Sequence, residues 1–444
     1  MEANLDLLIL RKKMRKRTKN LREKSDKVIE RDKKVLTRTL TRETDLVIKQ
    51  SKGCYVWDQD GKKYLDFAAG IAVSNVGNTN KYVVKAIRKQ AGYALHAAFA
   101  DFYSDIPVRF SELLTSYLPT KLNTVFLSNS GTEAVEAAYK LAKYNTRKKY
   151  VMAFNGCFHG RTMGSLSMTN SKEVQRKGFE PFLPVKHVPY CYCYRCPFGK
   201  EYPDCNMKCL DNFETVVKKN KKDLAAVFIE MVQGEGGYIV PKKEFIKGVR
   251  RVCKENKVLL VDDEIQAGCF RTGTFLASEN FGVTADIVCF AKAIAGGLPL
   301  GATVFPKELD KWNPGSHANT FGGNLISCAA GLAALKFMKN ARLGINADKI
   351  GDYLLKRLNE LKEEYEIIGD VRGLGLMIGI ELVKSKKTKK PAVKEREKVI
   401  KNAFEKGLVL LPCGTSTIRF APPLIVNKAL TDQALKIFED SLKV

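Results

Sequence analysis

The 444-residue chain is long enough for two or more domains, and its 45% hydrophobic content is that of a globular protein, not a disordered one. No apolar run approaches the roughly 18 to 20 residues that a membrane span needs. No cleavage pattern follows Met1–Leu10, so we expect a cytoplasmic protein, neither membrane-bound nor secreted. The net charge of +27 could attract nucleic acid or an anionic substrate. Because no nucleic-acid motif accompanies it, we interpret the charge as a solvated Lys-rich surface and expect no nucleic-acid partner.

The predicted elements change in character along the chain. Residues 11–38 form a charged, helix-prone arm, and Gly53–Phe67 predicts a β-hairpin whose two apolar runs flank the turn residues Asp58–Gly61. From about residue 120, short apolar segments such as TVFLS, YVMAF, AAVFIE, VLLVDDE and DIVCFAK alternate with helix-length segments. This alternation is typical of a parallel sheet in an α/β domain. Beyond about residue 340, a helical stretch (Lys349–Glu364) and the strand TIRFAPPL predict an α+β unit.

Three segments follow from these changes. We predict an N-terminal arm and hairpin over residues 1–75 that pack with the small domain, a large ligand-binding domain over 76–338, and a small α+β domain over 339–444. Ligands of open parallel sheets gather at the carboxyl ends of the strands. Five sequence-distant segments could therefore converge on one crevice, through the strand-end residues Gly131, Phe158, Glu230, Asp263 and Lys292.

The segment Ser128–Glu133 joins a predicted strand to a predicted helix through small polar residues. Free backbone N–H groups at a helix start form an anion site, and a hydroxyl adds a donor. The ordinary alternative is a helix cap, because Ser or Thr followed by Glu caps many helices. Both interpretations remain open for this segment alone.

Two charged residues emerge from buried strands. A carboxylate such as Asp263 needs a cation or donors there, and a protonated pyridine nitrogen or an Arg or Lys could serve. The Lys292 ammonium beside an apolar strand is unusual; it could be a desolvated amine that attacks a carbonyl, or a surface lysine whose stem covers apolar surface.

Seven motifs in order carry a resemblance to a known family. They are SNSGTEA (128–134), FHGRT (158–162), EMVQGEGG (230–237), DDEIQAG (262–268), AKAIAGG (291–297), HANTFGGN (317–324) and RFAPP (419–423). From about Gly53 to the C-terminus the chain resembles class III aminotransferases dependent on pyridoxal 5'-phosphate (PLP), above all 4-aminobutyrate and related ω-amino acid aminotransferases. The resemblance implies the α/β fold type I of PLP-dependent transferases, with a mainly parallel central sheet in the large domain and a smaller α+β domain.

The resemblance also implies how PLP would be held. Lys292 would carry the cofactor as a Schiff base and shuttle a proton between substrate and cofactor, and Asp263 would keep the pyridine nitrogen protonated. The remaining cofactor contacts implied are Gly131 and Thr132 on the phosphate, Phe158 on the ring face, Gln266 near the phenolic oxygen, and Glu230. His159 follows Phe158 in the chain, and we expect it to belong to the cofactor site by orienting that ring. Thr320 would complete the phosphate site of the partner subunit, which implies a homodimer with shared active sites and leaves tetramers or higher assemblies open.

Four positions match the family's substrate contacts. Arg419 would grip the α-carboxylate, a task suited to a bidentate guanidinium, and Glu235 would neutralise this arginine when an ω-amine substrate enters. Arg161 would receive the distal carboxylate, and Ile71 would line the pocket. The implied reaction moves an amino group from an ω-amino acid such as 4-aminobutyrate or ornithine to a 2-oxo acid such as 2-oxoglutarate.

Some positions depart from the family pattern. Met231 stands where Pro is usual, and Phe270 stands where Gly is frequent. These departures leave the cofactor chemistry intact and bear on the substrate. Archaeal relatives with these motifs include amino acid racemases and epimerases, so racemisation with the same Lys292 and Asp263 is the alternative activity.

Twelve cysteines are many for a cytosolic enzyme. Seven lie in apolar surroundings and are predicted to be buried thiols: Cys54, Cys157, Cys253, Cys269, Cys289, Cys328 and Cys413. The other five cluster in one segment: Cys191, Cys193, Cys196, Cys205 and Cys209. The spacing of the last four could bind zinc or an iron–sulfur cluster, and a disulfide or plain reduced thiols are the alternatives. We assign no metal as part of the predicted site.

Overall fold

The computed structural model describes residues 22–443, so the part of the predicted arm before Arg22 lies outside the described residues. Helix α1 (Glu23–Val35) forms the described part of that arm, and the Asp60 carboxylate accepts hydrogen bonds from the amides of Lys24 and Ser25 at its start. Strands β1 (Ile48–Lys52), β2 (Tyr55–Asp58) and β3 (Lys63–Asp66) follow as an antiparallel meander. The predicted hairpin is therefore confirmed. No described helix has both the length and the apolar character to cross a membrane.

A seven-stranded sheet forms the centre of the molecule. Its strands are β4 (Thr124–Ser128), β5 (Tyr150–Phe154), β6 (Val185–Val188), β7 (Leu224–Ile229), β8 (Leu259–Asp263), β9 (Ile287–Phe290) and β10 (Gly301–Phe305), in the order β4-β10-β9-β8-β7-β5-β6. Strand β10 runs in the direction opposite to that of the other six strands of this sheet, which all run the same way. Every residue of β7 is buried, because helices cover both faces of the sheet. The predicted mainly parallel sheet is confirmed.

The helices of this part of the chain pack their apolar sides on the sheet or on one another. They are α2 (Lys81–Ala91), α3 (Asp105–Thr115), α4 (Gly131–Thr146), α5 (Met163–Met168), α6 (Lys208–Asn220), α7 (Lys243–Glu255) and α8 (Leu325–Asn340). Short 3-10 turns span Glu173–Gln175, Cys193–Arg195, Ala277–Phe281, Lys292–Ala295 and Lys307–Leu309. Helix α4 begins at a cap, since the Ser130 hydroxyl accepts from the Glu133 amide and Glu133 Oε2 accepts from the Asn129 amide. The cap fixes where the chain turns from β4 into α4.

The C-terminal part combines helices with a second, antiparallel sheet. Its elements are α9 (Leu343–Glu364), β11 (Ile368–Leu374), β12 (Met377–Leu382), α10 (Val393–Glu405), β13 (Leu408–Val409), β14 (Leu411–Cys413), β15 (Thr417–Phe420) and α11 (Lys428–Glu439). The sheet order is β11-β12-β15-β14, whereas β13 pairs in parallel with β3 of the N-terminal meander. The last strand, β15, carries Arg419 on a buried sheet.

A fully buried guanidinium joins three distant segments beside the central sheet. Arg271 donates to the carbonyl oxygens of Leu376 at 3.0 Å and Pro422 at 2.6 Å, and to Asn75 Oδ1 at 2.5 Å. Burial lowers the pKa of Arg271 to about 10, so the side chain remains a cation at neutral pH. Its planar set of donors satisfies acceptors that would otherwise be buried without partners.

Replacing this arginine tests its contribution to stability. We expect Arg271→Met to lower the free energy of unfolding by about 3 kcal/mol or more, because three buried acceptors lose their donor. Urea unfolding followed by fluorescence measures the change. Arg251→Met is the matched control, since that side chain is 49% exposed and its ion pairs lie on the surface. Equal destabilisation by both substitutions would contradict this role of Arg271.

Candidate active site

A cavity of about 440 Å³ opens at the carboxyl ends of the parallel strands. The end of β8 contributes Asp263, the turn after β9 contributes Lys292, and the start of α4 contributes Gly131 and Thr132. The sequence-predicted residues that border it are Gly131, Thr132, Phe158, His159, Arg161, Glu230, Asp263, Gln266 and Lys292. The strand-end residues thus meet at one edge of the sheet.

Lys292 lies two residues after the end of β9 and begins a 3-10 turn. Its φ of +48° is in the left-handed region, which a non-glycine residue rarely adopts and which surrounding contacts must maintain. Burial lowers the pKa of its ammonium, although Asp263 and Glu235 oppose that effect. A lysine in this environment has an enhanced neutral fraction and can act as a nucleophile or a base.

Asp263 is held in place by an ion pair with a buried histidine. His159 Nδ1 lies 2.7 Å from Asp263 Oδ2, and Asp263 Oδ1 accepts from the Ile265 amide at 3.1 Å. Burial alone would lower the pKa of His159, but its neighbours Cys157 and Asp263 outweigh this and raise the pKa. We expected His159 to orient Phe158; its hydrogen bond goes to Asp263 instead. The imidazole behind Asp263 therefore fixes the orientation of the carboxylate.

Glu230 and Gln266 are fixed on either side of this pair. Glu230 Oε2 accepts from the Phe158 amide and Oε1 from the Gly234 amide, each at 3.0 Å, so it joins two loops of the site. Burial raises the pKa of Glu230 to about 7. Gln266 Oε1 accepts from the Tyr238 hydroxyl at 3.0 Å, which leaves its amide group as a donor.

The start of α4 forms the opposite end of the cavity. The Thr132 hydroxyl lies 2.7 Å from Thr162 Oγ1 and 2.6 Å from Ser165 Oγ, within a cluster of hydroxyl groups. A Cβ atom at Gly131 would lie 2.9 Å from Cδ1 of Ile265, so a larger residue there would force the Ile265 side chain to shift. Helix-start amides beside hydroxyl donors suit a phosphate. The segment forms the helix cap, and its amides and hydroxyl groups also suit an anion.

A second cavity of about 630 Å³ shares Phe158, Arg161, Gln266 and Lys292 with the first. It adds Ile71, which has a φ of +66° within the left-handed turn Ala69–Ala72 and is 42% exposed. The Arg161 guanidinium lies 5.9 Å from the centre of the Phe158 ring. Ile71 and Arg161 therefore border the space through which a substrate would reach Lys292.

Glu235 and Arg419 form an ion pair in this second cavity. Arg419 Nη1 donates to Glu235 Oε1 at 2.6 Å, and their side chains are 6% and 14% exposed, respectively. Burial would raise the pKa of Glu235, but Arg419 and then Lys172 lower it, so the carboxylate is charged. Arg419 Nε is buried and has no hydrogen-bond partner among the described residues, which leaves a donor for a ligand.

Two residues discussed from the sequence lie apart from the cavities. Thr320 is exposed and borders neither cavity of its own chain, beside Phe321, which is 58% exposed. Phe270 packs its ring against Tyr117 and Phe275 and also borders neither cavity. Sequence reasoning missed Lys172, which borders the second cavity; no motif singles out a lysine in that segment.

The clustered cysteines line a separate, very small cavity of about 20 Å³. Cys191 Sγ and Cys193 Sγ lie 4.0 Å apart, and none of the twelve cysteines forms a disulfide. Among residues 22–443, no group of three or more His, Cys, Asp or Glu side chains is arranged to hold a metal ion. The seven cysteines predicted to be buried thiols are buried.

Two buried carboxyl groups lie beside Asp263. Asp262 and Glu264 are 0% and 2% exposed, and no cation of the described chain pairs with either. Burial, reinforced by Glu264, raises the pKa of Asp262, and burial raises the pKa of Glu264 to about 7. Two neighbouring buried carboxyl groups oppose each other's ionisation.

Known proteins share sequence similarity with this chain over most of its length. The sequence model of the family "Aminotransferase class-III" matches residues 38–442. A leucine/methionine racemase of Thermococcus litoralis is 38% identical, with 89% of this chain and 90% of the relative covered. An acetylornithine aminotransferase of Clostridium acetobutylicum is 36% identical, with 90% and 97% covered. A probable 4-aminobutyrate aminotransferase of Bacillus subtilis is 36% identical, with 89% and 92% covered.

A solved structure agrees in fold with this chain. The PLP-bound amine transaminase from an uncultivated Pseudomonas species superposes with a TM-score of 0.86 at 29% identity, covering 92% of this chain and 97% of that one. The similarity therefore includes both the central sheet and the C-terminal α+β part.

The Asp262–Glu264 pair predicts how stability depends on pH. A carboxyl whose pKa is raised by folding, here from 4.5 to about 7 for Glu264, keeps a proton that the unfolded chain releases. Stability therefore falls as pH rises through this window. We expect Asp262→Asn to reduce that fall, so its melting temperature relative to the wild type is higher at pH 8.5 than at pH 5.5. Asp204→Asn, at an exposed site, is the control, and identical pH profiles for both variants would contradict this expectation.

Proposed function

The chain belongs to the class-III aminotransferase family, and from this premise we propose that it moves an amino group from an ω-amino acid to a 2-oxo acid. The donor class is 4-aminobutyrate, ornithine or a similar ω-amino acid, and 2-oxoglutarate is the proposed acceptor. Acetylornithine and 4-aminobutyrate aminotransferases among the relatives support this class.

PLP is the cofactor of this family, and the cavity suits it. A phosphate fits the helix start at Gly131 and Thr132, and an aromatic ring fits beside Phe158. The Asp263 carboxylate, backed by His159, suits a protonated pyridine nitrogen, and Lys292 supplies the amine that holds the cofactor covalently. When bound, PLP acts as the electron sink that stabilises a substrate carbanion.

The side chains of the chain would then perform the remaining work. Lys292 Nζ would take a proton from the substrate carbon and return it later in the transfer, a role suited to its lowered pKa. His159 Nδ1, 2.7 Å from Asp263 Oδ2, would hold that carboxylate in place for the pyridine nitrogen. Gln266 would donate its free amide hydrogens, since its oxygen is occupied by Tyr238.

One observation carries the proposed substrate class: the Glu235–Arg419 ion pair in the cavity shared with Lys292 and Arg161. With the pair closed, Arg419 is neutralised and an uncharged methylene chain can pass, while Arg161 is available for a distal carboxylate. With the pair open, the Arg419 guanidinium is free to bind an α-carboxylate. One site could thus accept both partners of a transamination.

Racemisation is the second candidate, because a leucine/methionine racemase and an alanine/serine racemase are among the relatives, at 38% and 35% identity. A racemase would use Arg419 for its single carboxylate and would deliver protons to both faces of the substrate carbon. It would have no need for a reversible neutralisation of Arg419.

Single-donor experiments separate the two activities. We expect 4-aminobutyrate or ornithine to consume the cofactor absorbance stoichiometrically and 2-oxoglutarate to restore it. Glu235→Gln should lower kcat/KM for the ω-amino acid about tenfold or more, because Arg419 is left as an unpaired buried charge, while glutamate is affected less. Lys292→Ala should be inactive in both. Exchange of an α-proton with loss of optical activity, in the absence of an oxo acid and without amino transfer, would overturn the proposed transamination.

We also infer a homodimer with shared sites. Thr320 is exposed beside Phe321, and further exposed apolar side chains include Leu95 and Phe102 at 60% and 66% exposure. Exposed apolar surface of this kind marks an interaction face.

Twelve free thiols favour a reducing compartment, and so the cytoplasm.

A mixture of two inactive subunits tests the shared site. A heterodimer of Lys292→Ala and Thr320→Ala subunits has one site with both residues intact, if Thr320 serves the partner's site. We expect partial activity to return when the two variants are unfolded together and refolded, whereas each variant alone remains impaired. Activity no higher than the sum of the separate variants would contradict a contribution of Thr320 across the interface. Sedimentation measures whether the assembly is a dimer.

A further inference from the structure

The Glu235 carboxylate has a cation at each of its two oxygens. Oε1 is bound by Arg419 Nη1 at 2.6 Å, and Oε2 lies 4.0 Å from Lys172 Nζ. The arginine is almost entirely buried, whereas the lysine side chain is 37% exposed. The two cations therefore differ in freedom of movement, and only the lysine has room to adjust.

The backbone that carries Lys172 is held firmly while its ammonium is free to move. Arg176 Nη1 donates to the carbonyl oxygens of three residues just before Lys172, namely Leu166, Ser167 and Thr169, at 2.8, 3.1 and 2.5 Å. The Ser171 hydroxyl donates to Gln175 Oε1 at 2.7 Å across the next turn. These bonds fix the base of the lysine beside the cavity and leave its four-carbon stem to position the charge.

Glu235 can change partner by moving its side chain alone. Its carbonyl oxygen accepts from the Gly414 amide at 2.8 Å, which holds the main chain. Glycines flank it on both sides, at Gly234 and Gly236, so no neighbouring side chain obstructs the carboxylate. The Glu235 carboxylate needs only to move from Arg419 towards Lys172, and each of these cations already faces one of its two oxygens.

An α-carboxylate that binds Arg419 would displace Glu235. If it lost Arg419 and had no other cation, the displaced carboxylate, only 14% exposed, would lie close to the substrate's own negative charge. A partly buried carboxylate without a partner is strongly disfavoured, and this free-energy cost would weaken the binding of α-amino and 2-oxo acids. An efficient exchange therefore requires a second cation for Glu235.

We propose that Lys172 is this second cation: it is a positioning residue that receives Glu235 when Arg419 binds the α-carboxylate of a substrate. The proposal rests on the proposed exchange of carboxylates at Arg419. Its effect is specific to ligands with an α-carboxylate, because an ω-amino acid entering the closed state leaves the Glu235–Arg419 pair intact.

Replacement of Lys172 tests this role in the purified PLP-loaded enzyme. We expect Lys172→Met to raise the KM and the spectroscopically titrated Kd of glutamate and of alanine about five- to tenfold, with a smaller change in kcat. The corresponding constants for 4-aminobutyrate should change less than twofold. Lys172→Arg should restore most of the lost affinity. Lys177→Met is the matched control, because that lysine lies on the same segment, is 80% exposed and pairs only with Glu173 at 3.9 Å among the described residues.

The double variant distinguishes the possible outcomes. If Lys172 acts through Glu235, then Lys172→Met should add nothing in a Glu235→Gln background. Equal losses for 4-aminobutyrate and alanine, or additive losses in the double variant, would overturn the role of Lys172. If Glu235→Gln itself leaves the preference between α- and ω-amino acids unchanged, the exchange at Arg419 fails. If it changes that preference and Lys172→Met does not, only the role of Lys172 fails.

Discussion

The ion pair between Asp263 and His159 is the interaction on which the rest of the site depends. Both side chains are almost fully buried, and their 2.7 Å contact lets a carboxylate persist at the end of an apolar strand. A histidine at that place requires the loop after β5 to reach across to β8, and Glu230 secures that loop through the Phe158 amide. The pair thus determines which loops meet, and the cavity for the cofactor lies where they do.

Sheet topology supplies the second condition. Because β5, β7, β8 and β9 are parallel, their carboxyl ends share one edge, and the helix start at Gly131 faces the same edge after β4. The backbone strain of the site is also found there, at Lys292 and Ile71, both with φ in the left-handed region. Strain of about 1–3 kcal/mol per residue is tolerable only because the surrounding core is tightly packed. Buried cations such as Arg271 contribute to that rigidity by satisfying backbone acceptors between the parts of the chain.

Much of this architecture could be predicted from the sequence, since strand-length apolar runs ending in polar residues identified β4, β5, β7, β8 and β9 and placed Lys292 and Asp263 at one edge. The motifs then supplied the family and its cofactor. Periodicity could not show that His159 faces Asp263 instead of Phe158, because the direction of a loop side chain depends on long-range packing. For the same reason, the pairing of Asp262 with Glu264 and the proximity of Lys172 to Glu235 became visible only in three dimensions.

The charge balance around Arg419 connects the fold to substrate choice. In its closed state the second cavity holds Arg419 and Glu235 as a pair, with Lys172 beside the other oxygen of Glu235, and Arg161 remains as a cation for an incoming substrate. When an α-carboxylate binds Arg419, it brings one negative charge into the cavity and releases the carboxylate of Glu235. The charges stay balanced only if Glu235 then pairs with another cation. A single lysine within 4.0 Å of its free oxygen can satisfy that requirement without moving the backbone. In the proposed exchange, discrimination between α- and ω-amino acids would depend less on the shape of the pocket than on the relative strength with which two cations hold one carboxylate.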